Sequence, residues 1–223
     1  MTLITEPTQL VEACRRLANE TFLSIDTEFM REKTYYPQLC LIQIAGKKEA
    51  IVIDALAEDI NLNPVLELME KEAITKGFHA CRQDIEIFYN LNHKIPSPIF
   101  DTQIGAMVCG YGKSVGYDKL VRQITGIQID KSSRFTDWSY RPLSKQQIKY
   151  ALSDVTHLRT VFEALSSQLE KSGRTKWLEE EFKTVLNPET YNTPLDKSWK
   201  RLKVKNGQPR FLILIRELCA FRE

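Results

Sequence analysis

Residues 22–29 have the sequence FLSIDTEF, a short apolar run that contains two acids and is typical of a β-strand. Residues two apart on a strand project from the same face, so the carboxyl groups of Asp26 and Glu28 lie side by side. Three other acidic pairs with this spacing lie in segments of helical pattern: Glu70/Glu72, Asp84/Glu86 and Glu179/Glu181. Residues two apart on a helix point in different directions, so the strand context distinguishes the first pair.

Two more apolar runs follow this strand after short connections, LCLIQIA at 39–45 and AIVID at 50–54. Short connections between three successive strands favour an antiparallel meander. Short strands then alternate with helical segments, at 64–72, 74–80, 82–91, 98–100 and 102–108. Such alternation is typical of crossover connections and parallel strands. We therefore predict an α/β fold in which a mixed sheet, an antiparallel meander plus parallel strands, is flanked by helices.

The second half of the chain predicts more helix and a change of composition. Helical spacing continues at 116–124 and over a long segment at 144–171, with a polar loop at 130–141 between them. Residues 1–170 carry 19 basic and 22 acidic residues, whereas residues 171–223 carry 12 and 7. We predict one domain at 1–170, followed at 171–223 by a helix, a basic linker and the start of an incomplete C-terminal helical region.

The overall composition limits the class of protein. Of the 223 residues, 43% are hydrophobic and 27% are charged, which excludes a globally disordered chain. No run approaches the roughly 18 uncharged apolar residues of a membrane span, and the charged N-terminus lacks a signal-peptide pattern, so we expect no membrane partner. The five scattered cysteines are typical of reduced thiols, and we therefore expect a cytoplasmic protein.

Two pairs of side chains suggest chemistry. Asp26 and Glu28 would be costly to keep ionised side by side unless cations bind them, and hard divalent ions prefer oxygen ligands. The alternative is an edge strand whose polar face lies in water. Tyr150 and Asp154 are four apart in a helical segment, so they share one helix face, where a phenol beside a carboxylate can position a water. The alternative is an exposed pair on an amphipathic helix.

Two further aspartates stand at predicted helix starts. Asp84 falls in the first turn of the helix at 82–91, where favourable interaction with the helix dipole would explain it equally well. Asp101 precedes the helix at 102–108, and we interpret it as an N-cap.

The order of these residues is more specific than any one of them. A strand Asp-x-Glu is followed 56 residues later by a helix-start Asp, and then by Tyr-x-x-x-Asp on a late helix. This order resembles the DEDD superfamily of 3′–5′ exonucleases, in its tyrosine-containing subgroup. The segments that carry the resemblance begin at residues 26, 77, 100, 130 and 147: DTEFMREKTYYPQLCLIQIA, GFHACRQDIEIF, FDTQIGAMVCGY, DKSSRFTDWSYRPLS and QIKYALSDVTHL.

The resemblance implies a ribonuclease-H-like fold and a metal-dependent exonuclease. By the resemblance, Asp26, Glu28, Asp84 and Asp154 are the metal-binding acids, and Tyr150 completes the catalytic site. Two divalent ions, Mg²⁺ or Mn²⁺, are the implied cofactors. Asp26 would bridge the two ions, and Asp84 would hold the second ion. Tyr150 would orient the nucleophile by a hydrogen bond rather than act as a strong base, because an ordinary tyrosine pKa is about 10.

The implied substrate is RNA with a single-stranded 3′ end, such as a tRNA precursor, which is shortened to nucleoside 5′-monophosphates. Single-stranded DNA, or binding without catalysis, are the alternatives. In the surrounding groove we expect Phe29 and Trp138 to stack on bases. Core packing would also explain Phe29, and packing against the 130–141 loop would also explain Trp138. We expect Lys131, Arg134 and Arg141 to contact phosphates.

Overall fold

The computed structural model describes residues 2–130, 132–192, 195–205 and 207–222. Within them, six strands form one sheet, and there are nine α-helices. The strands are β1 Thr2–Ile4, β2 Phe22–Met30, β3 Gln38–Ala45, β4 Ala50–Asp54, β5 Thr75–Phe78 and β6 Ile99–Asp101. The helices are α1 Pro7–Leu17, α2 Asn63–Met69, α3 Arg82–Asn92, α4 Thr102–Val108, α5 Tyr117–Thr125, α6 Lys145–Thr156, α7 Leu158–Ser172, α8 Thr175–Val185 and α9 Pro209–Arg222.

The sheet has the predicted mixture of pairings, in the order β1-β4-β3-β2-β5-β6. Strands β2, β3 and β4 form the antiparallel meander, whereas β5 pairs in parallel with β2 and with β6. Strand β1, which pairs in parallel with β4, was not predicted, because three residues are too few to show an alternating pattern. The predicted α/β mixed sheet flanked by helices is therefore confirmed.

Strand β2 extends beyond its parallel neighbour. Strand β5 pairs only with residues 22–24 of β2, whereas β3 pairs with β2 as far as Met30. The second half of β2, with Asp26 and Glu28, is therefore open on the β5 side. A helix that follows β5 can reach these acids, because the carboxyl ends of neighbouring parallel strands lie at the same edge of a sheet.

The segment at 144–171, predicted as one helix, consists of two helices that meet at His157. Helix α6 packs on β2, β3 and β4, whereas α7 packs on α4 and α5. An interruption of one residue leaves the apolar spacing of the sequence almost continuous, which is why the pattern does not predict it. Helix α6 begins with a capping box between Ser144 and Gln147, which fixes the start of the segment that carries Tyr150 and Asp154.

The described chain forms two compact units, with the division between Phe182 and Lys183. In the second unit, a 3-10 helix at Leu195–Arg201 packs against α9. The predicted domain boundary at 170 stays a prediction. Within the described residues, no helix combines the length and the apolar character needed to span a membrane. All five cysteines are free thiols.

Candidate active site

Three carboxylates from distant parts of the sequence meet beside the second half of β2. One oxygen each of Asp26, Glu28 and Asp154 lie within 4.8 Å of one another. Strand alternation directs the first two to one face of the sheet, and α6 packs across that face and brings Asp154 to them. A cavity of about 760 Å³ opens onto this cluster, and its lining includes all three acids.

Tyr150 lies one helical turn before Asp154 and lines the same cavity. Its hydroxyl group hydrogen-bonds to the Asp154 carboxylate, and burial together with that carboxylate raises the pKa of the phenol. The Trp138 ring packs against the Tyr150 ring, with 6.0 Å between the ring centroids. The phenol is therefore protonated at neutral pH and is held by contacts on two sides.

Asp84 lies next to the three-acid cluster but does not belong to it. It stands in the first turn of α3, and its carboxylate accepts a 2.6 Å hydrogen bond from the Thr27 hydroxyl group. Burial raises the pKa of Asp84 to about 7, whereas the hydrogen bond from Thr27 opposes the shift. Thr27 is not predicted from the sequence, because strand alternation alone places its side chain on the face opposite Asp26.

Burial and mutual repulsion dominate the electrostatics of the cluster. Burial first, and then the charges of Asp84, Asp154 and Glu28, raise the pKa of Asp26 well above its ordinary value. Burial and the charges of Asp154 and Asp84 raise the pKa of Glu28 to about 9, and Arg134 lowers it. Closely spaced carboxylates of this kind fit the oxygen ligands that Mg²⁺ and Mn²⁺ prefer, and bound dications would remove the repulsion.

Other polar residues near the cluster have structural partners. The Asp101 side chain accepts hydrogen bonds from the backbone of Gln103 and Ile104, which makes it the N-cap of α4 as predicted. The His79 ring lines the cavity, but its Nε2 donates to the Val115 carbonyl at 3.0 Å and its Nδ1 lies 2.9 Å from the Thr102 hydroxyl group. Burial lowers the pKa of His79, so the ring is a neutral structural group.

Three of the predicted nucleic-acid contacts line the cavity: Phe29 at the end of β2, and Arg134 and Trp138 in the 132–141 loop. Lys131 lies outside the described residues.

Two of the predicted contacts, Trp138 at the cavity wall and Arg141, have structural partners within the chain. Trp138 is 2% exposed and packs in a cluster with Leu152, so its ring is not available to a base. Arg141 binds the buried Asp54 through two hydrogen bonds of 2.6 Å and also donates to the Trp138 carbonyl at 2.7 Å. Asp54 is distant in sequence, so no local pattern reveals that it occupies the guanidinium group.

The cavity also has an exposed aromatic residue that was not predicted from the sequence. Phe135 lines it and is 92% exposed, with the Arg134 guanidinium carbon 5.3 Å from the ring centroid. Hydrogen bonds from Gln146 to Ser132 and from Gln147 to Thr136 tie this loop to α6. The signal available in the sequence was a phenylalanine next to an arginine within a polar loop.

The mixed sheet flanked by helices and the acid cluster beside β2 place the chain in the class of proteins with a ribonuclease-H-like fold. Residues 1–170 match the family model described as 3′-5′ exonuclease, and the chain belongs to that family. Two curated relatives are ribonuclease D of Bartonella henselae and of Nitrobacter hamburgensis. Each is 51% identical over 223 residues, which is 100% of this chain and 55% or 58% of the relative. The chain thus spans little more than half the length of these relatives.

Solved structures agree with this assignment. The structure of Escherichia coli RNase D, described as an exoribonuclease involved in structured RNA processing, has a TM-score of 0.89 and 31% identity. The match covers 99% of this chain and 59% of that one. Brucella melitensis NrnC with bound Mg²⁺ has a TM-score of 0.69 and 27% identity, over 86% of this chain and 93% of that one.

Proposed function

We propose that this chain is a metal-dependent 3′–5′ exoribonuclease that releases nucleoside 5′-monophosphates from RNA 3′ ends. The observation that carries the proposal is the meeting of three carboxylates within 4.8 Å, with Tyr150 and Asp84 beside them. The similarity to E. coli RNase D, described as acting in structured RNA processing, supports structured RNAs such as tRNA precursors as substrates. The free thiols fit a cytoplasmic location.

The acids would hold two divalent ions. Asp26, Glu28 and Asp154 offer the converging oxygens, and Asp84 offers a fourth carboxylate from α3. When bound, Mg²⁺ or Mn²⁺ would activate a water and neutralise charge on the leaving 3′ oxygen. The NrnC structure with bound Mg²⁺ supports this choice of ion.

Tyr150 would orient the attacking water. Its phenol is protonated, because burial and the Asp154 charge raise its pKa, so it acts as a hydrogen-bonding group rather than as a base. Its hydrogen bond to Asp154 and its packing on Trp138 hold the hydroxyl group at the cavity wall. Positioning of this kind lowers the entropic part of the barrier.

Arg134, Phe135 and Phe29 would receive the RNA end. Arg134 brings positive charge to a cavity whose floor is acidic, which suits a phosphate of the backbone. Phe135 offers an exposed ring face on which a base of any identity can stack. This arrangement suits a single-stranded end without sequence preference.

The test is the Mn²⁺-dependent release of mononucleotides from a 3′-end-labelled RNA. We expect Asp26→Ala and Asp154→Ala to abolish release while circular dichroism and RNA binding are retained. Glu179→Ala is the matched control, because this exposed acid belongs to a pair of the same spacing on α8. Full activity in either cavity variant would contradict the proposal.

A second arm compares single-stranded RNA and DNA of the same sequence. Preferential release from RNA is expected. Equal or faster release from DNA would replace the proposal with an exodeoxyribonuclease, and no hydrolysis of either polymer with Mn²⁺ present would favour a non-catalytic binding module.

A further inference from the structure

The sheet beside Asp26 carries two fully buried polar side chains, Ser24 on β2 and Gln43 on β3. Among the described residues, the Ser24 hydroxyl oxygen and both amide atoms of Gln43 are buried and have no hydrogen-bond partner. Most buried polar atoms in folded proteins are hydrogen-bonded, and an exception costs stability. Three such atoms on two adjacent strands beside the acid cluster therefore call for an explanation.

The strand register places these two residues next to Asp26. Gln43 is the direct antiparallel partner of Asp26, and Ser24 precedes Asp26 by two residues on the same strand. All three side chains therefore project from one face of the sheet. Directly opposed residues have Cβ atoms about 5 Å apart, and diagonal neighbours are within reach of a long side chain. A glutamine at this position can contact both neighbours.

The donors and acceptors of the three groups are complementary. The Ser24 hydroxyl can donate to the Gln43 carbonyl oxygen, and the Gln43 amide can donate to a carboxylate oxygen of Asp26. Neither hydrogen bond is made in this structure, where all three atoms lack partners, so the chain of two hydrogen bonds requires rotation of the Gln43 side chain toward Asp26 when a dication binds there. We propose that Gln43, oriented by Ser24, is a positioning residue that holds the Asp26 carboxylate for metal binding. The inference rests on the proposed function, because it requires a dication at Asp26.

A neutral donor suits this position better than a charged one. The charged neighbours that act on Asp26 are the carboxylates of Glu28, Asp84 and Asp154, none of which donates a hydrogen bond when ionised. An arginine or lysine at 43 would neutralise Asp26 and compete with the dication for it. The Gln43 amide would fix one carboxylate oxygen and leave lone pairs available for the metal, as groups behind metal-binding carboxylates commonly do.

The experiment is a calorimetric titration of the intact protein with Mn²⁺ alone. Gln43→Met keeps the volume and removes the amide, and we expect it to weaken Mn²⁺ binding about 10- to 100-fold. Ser24→Ala, a small change that retains the fold, should weaken binding less, and the double variant should match Gln43→Met because the two residues act in series. Asn90→Leu is the matched control, since this α3 residue also has an unpartnered amide nitrogen but does not line the cavity.

The outcomes separate this inference from the proposed function. Wild-type Mn²⁺ affinity in both Gln43→Met and Ser24→Ala would overturn the inference and leave the nuclease proposal intact. Mn²⁺ binding by the wild type without RNA hydrolysis would overturn the nuclease proposal, and the variants would still test Gln43. Absence of Mn²⁺ binding by the wild type would overturn both. Unfolding in EDTA gives the structural readout: Gln43→Met should be as stable as the wild type or more so, because an unpartnered buried amide is removed.

Discussion

Asp26 on β2 and Asp54 on β4 lie on the two strands that flank β3, and their carboxylates have opposite electrostatic surroundings. Asp54 is 4% exposed, and Arg141 binds both of its carboxylate oxygens at 2.6 Å. Asp26 lies among Glu28, Asp84 and Asp154, whose charges raise its pKa. One acid has a permanent cation supplied by the chain, and the other has a repulsive environment that an exchangeable cation would relieve.

This difference separates structure from function among acids that look alike in the sequence. A buried carboxylate with a bidentate arginine is a fixed link, here between β4 and the 132–141 loop. A buried cluster of carboxylates costs folding energy, which suits a site that binds dications. The comparison therefore predicts opposite responses when each environment is altered.

The largest effect is expected from Arg141→Met. Loss of the guanidinium group leaves Asp54 buried and unpaired, which typically costs about 3–5 kcal/mol of unfolding free energy. Chemical denaturation of the metal-free protein measures it. The double variant Arg141→Met/Asp54→Leu should recover much of the loss, because no unpaired charge remains. A loss below about 1 kcal/mol in the single variant would show that the pair is a surface-type ion pair.

The next largest effect is the dependence of folding stability on pH. Glu28, with a pKa of about 9, and Asp84, with a pKa of about 7, hold protons more tightly in the folded protein than in the unfolded chain. Their contribution to stability is therefore complete below about pH 4 and is lost as the pH rises toward 9. In EDTA, the melting temperature should fall between pH 5 and pH 9 on a scale of several degrees.

Magnesium should flatten this pH dependence, because bound cations replace the protons, and Glu28→Gln should flatten its upper part in EDTA. Melting curves at matched ionic strength measure both effects. Identical pH profiles with and without Mg²⁺ would mean that the cluster is not the metal site.

A smaller change in unfolding free energy is expected for Asp26→Asn, and its sign is opposite to that expected for Arg141→Met. The neutral amide replaces a carboxyl group whose charged form is opposed by burial and by the neighbouring acids, so the metal-free protein should gain about 1–3 kcal/mol of unfolding free energy relative to the wild type as the pH is raised. The gain should shrink as the pH is lowered, because protonation of the wild-type carboxyl groups relieves the same repulsion. Destabilisation at pH 8 would show that the Asp26 charge is compensated within the chain.

The smallest effect extends the comparison to the two arginines of the 132–141 loop. Arg141 is occupied by Asp54, whereas Arg134 lies over the exposed Phe135 ring at the cavity. Phe135→Ala should weaken binding of single-stranded RNA about tenfold, the effect of one lost base stack. Tyr140→Ala is the control, because this ring is 70% exposed on the same loop but does not line the cavity. Equal effects of the two substitutions would argue against a stacking role. Fluorescence anisotropy with a catalytically inactive variant gives both affinities.

Much of the fold could be predicted because it depends on local patterns. The apolar runs at 39–45 and 50–54 became β3 and β4 within one residue at each end. The break at His157 and the strand β1 could not be predicted, since the first depends on what each half of the helix packs against and the second on a partner about fifty residues away.

The sequence by itself determined which acids stand on a strand face, which pair shares a helix face, and, through the order of motifs, the family of the chain. The tertiary structure decided which charged groups are compensated and which are exposed: Arg141 is bound by Asp54, Asp84 is turned toward Thr27, and Gln43 lies opposite Asp26. The physical reason is that strand and helix periodicity fix the direction of a side chain within its own element, whereas burial and charge depend on which distant residues pack against it.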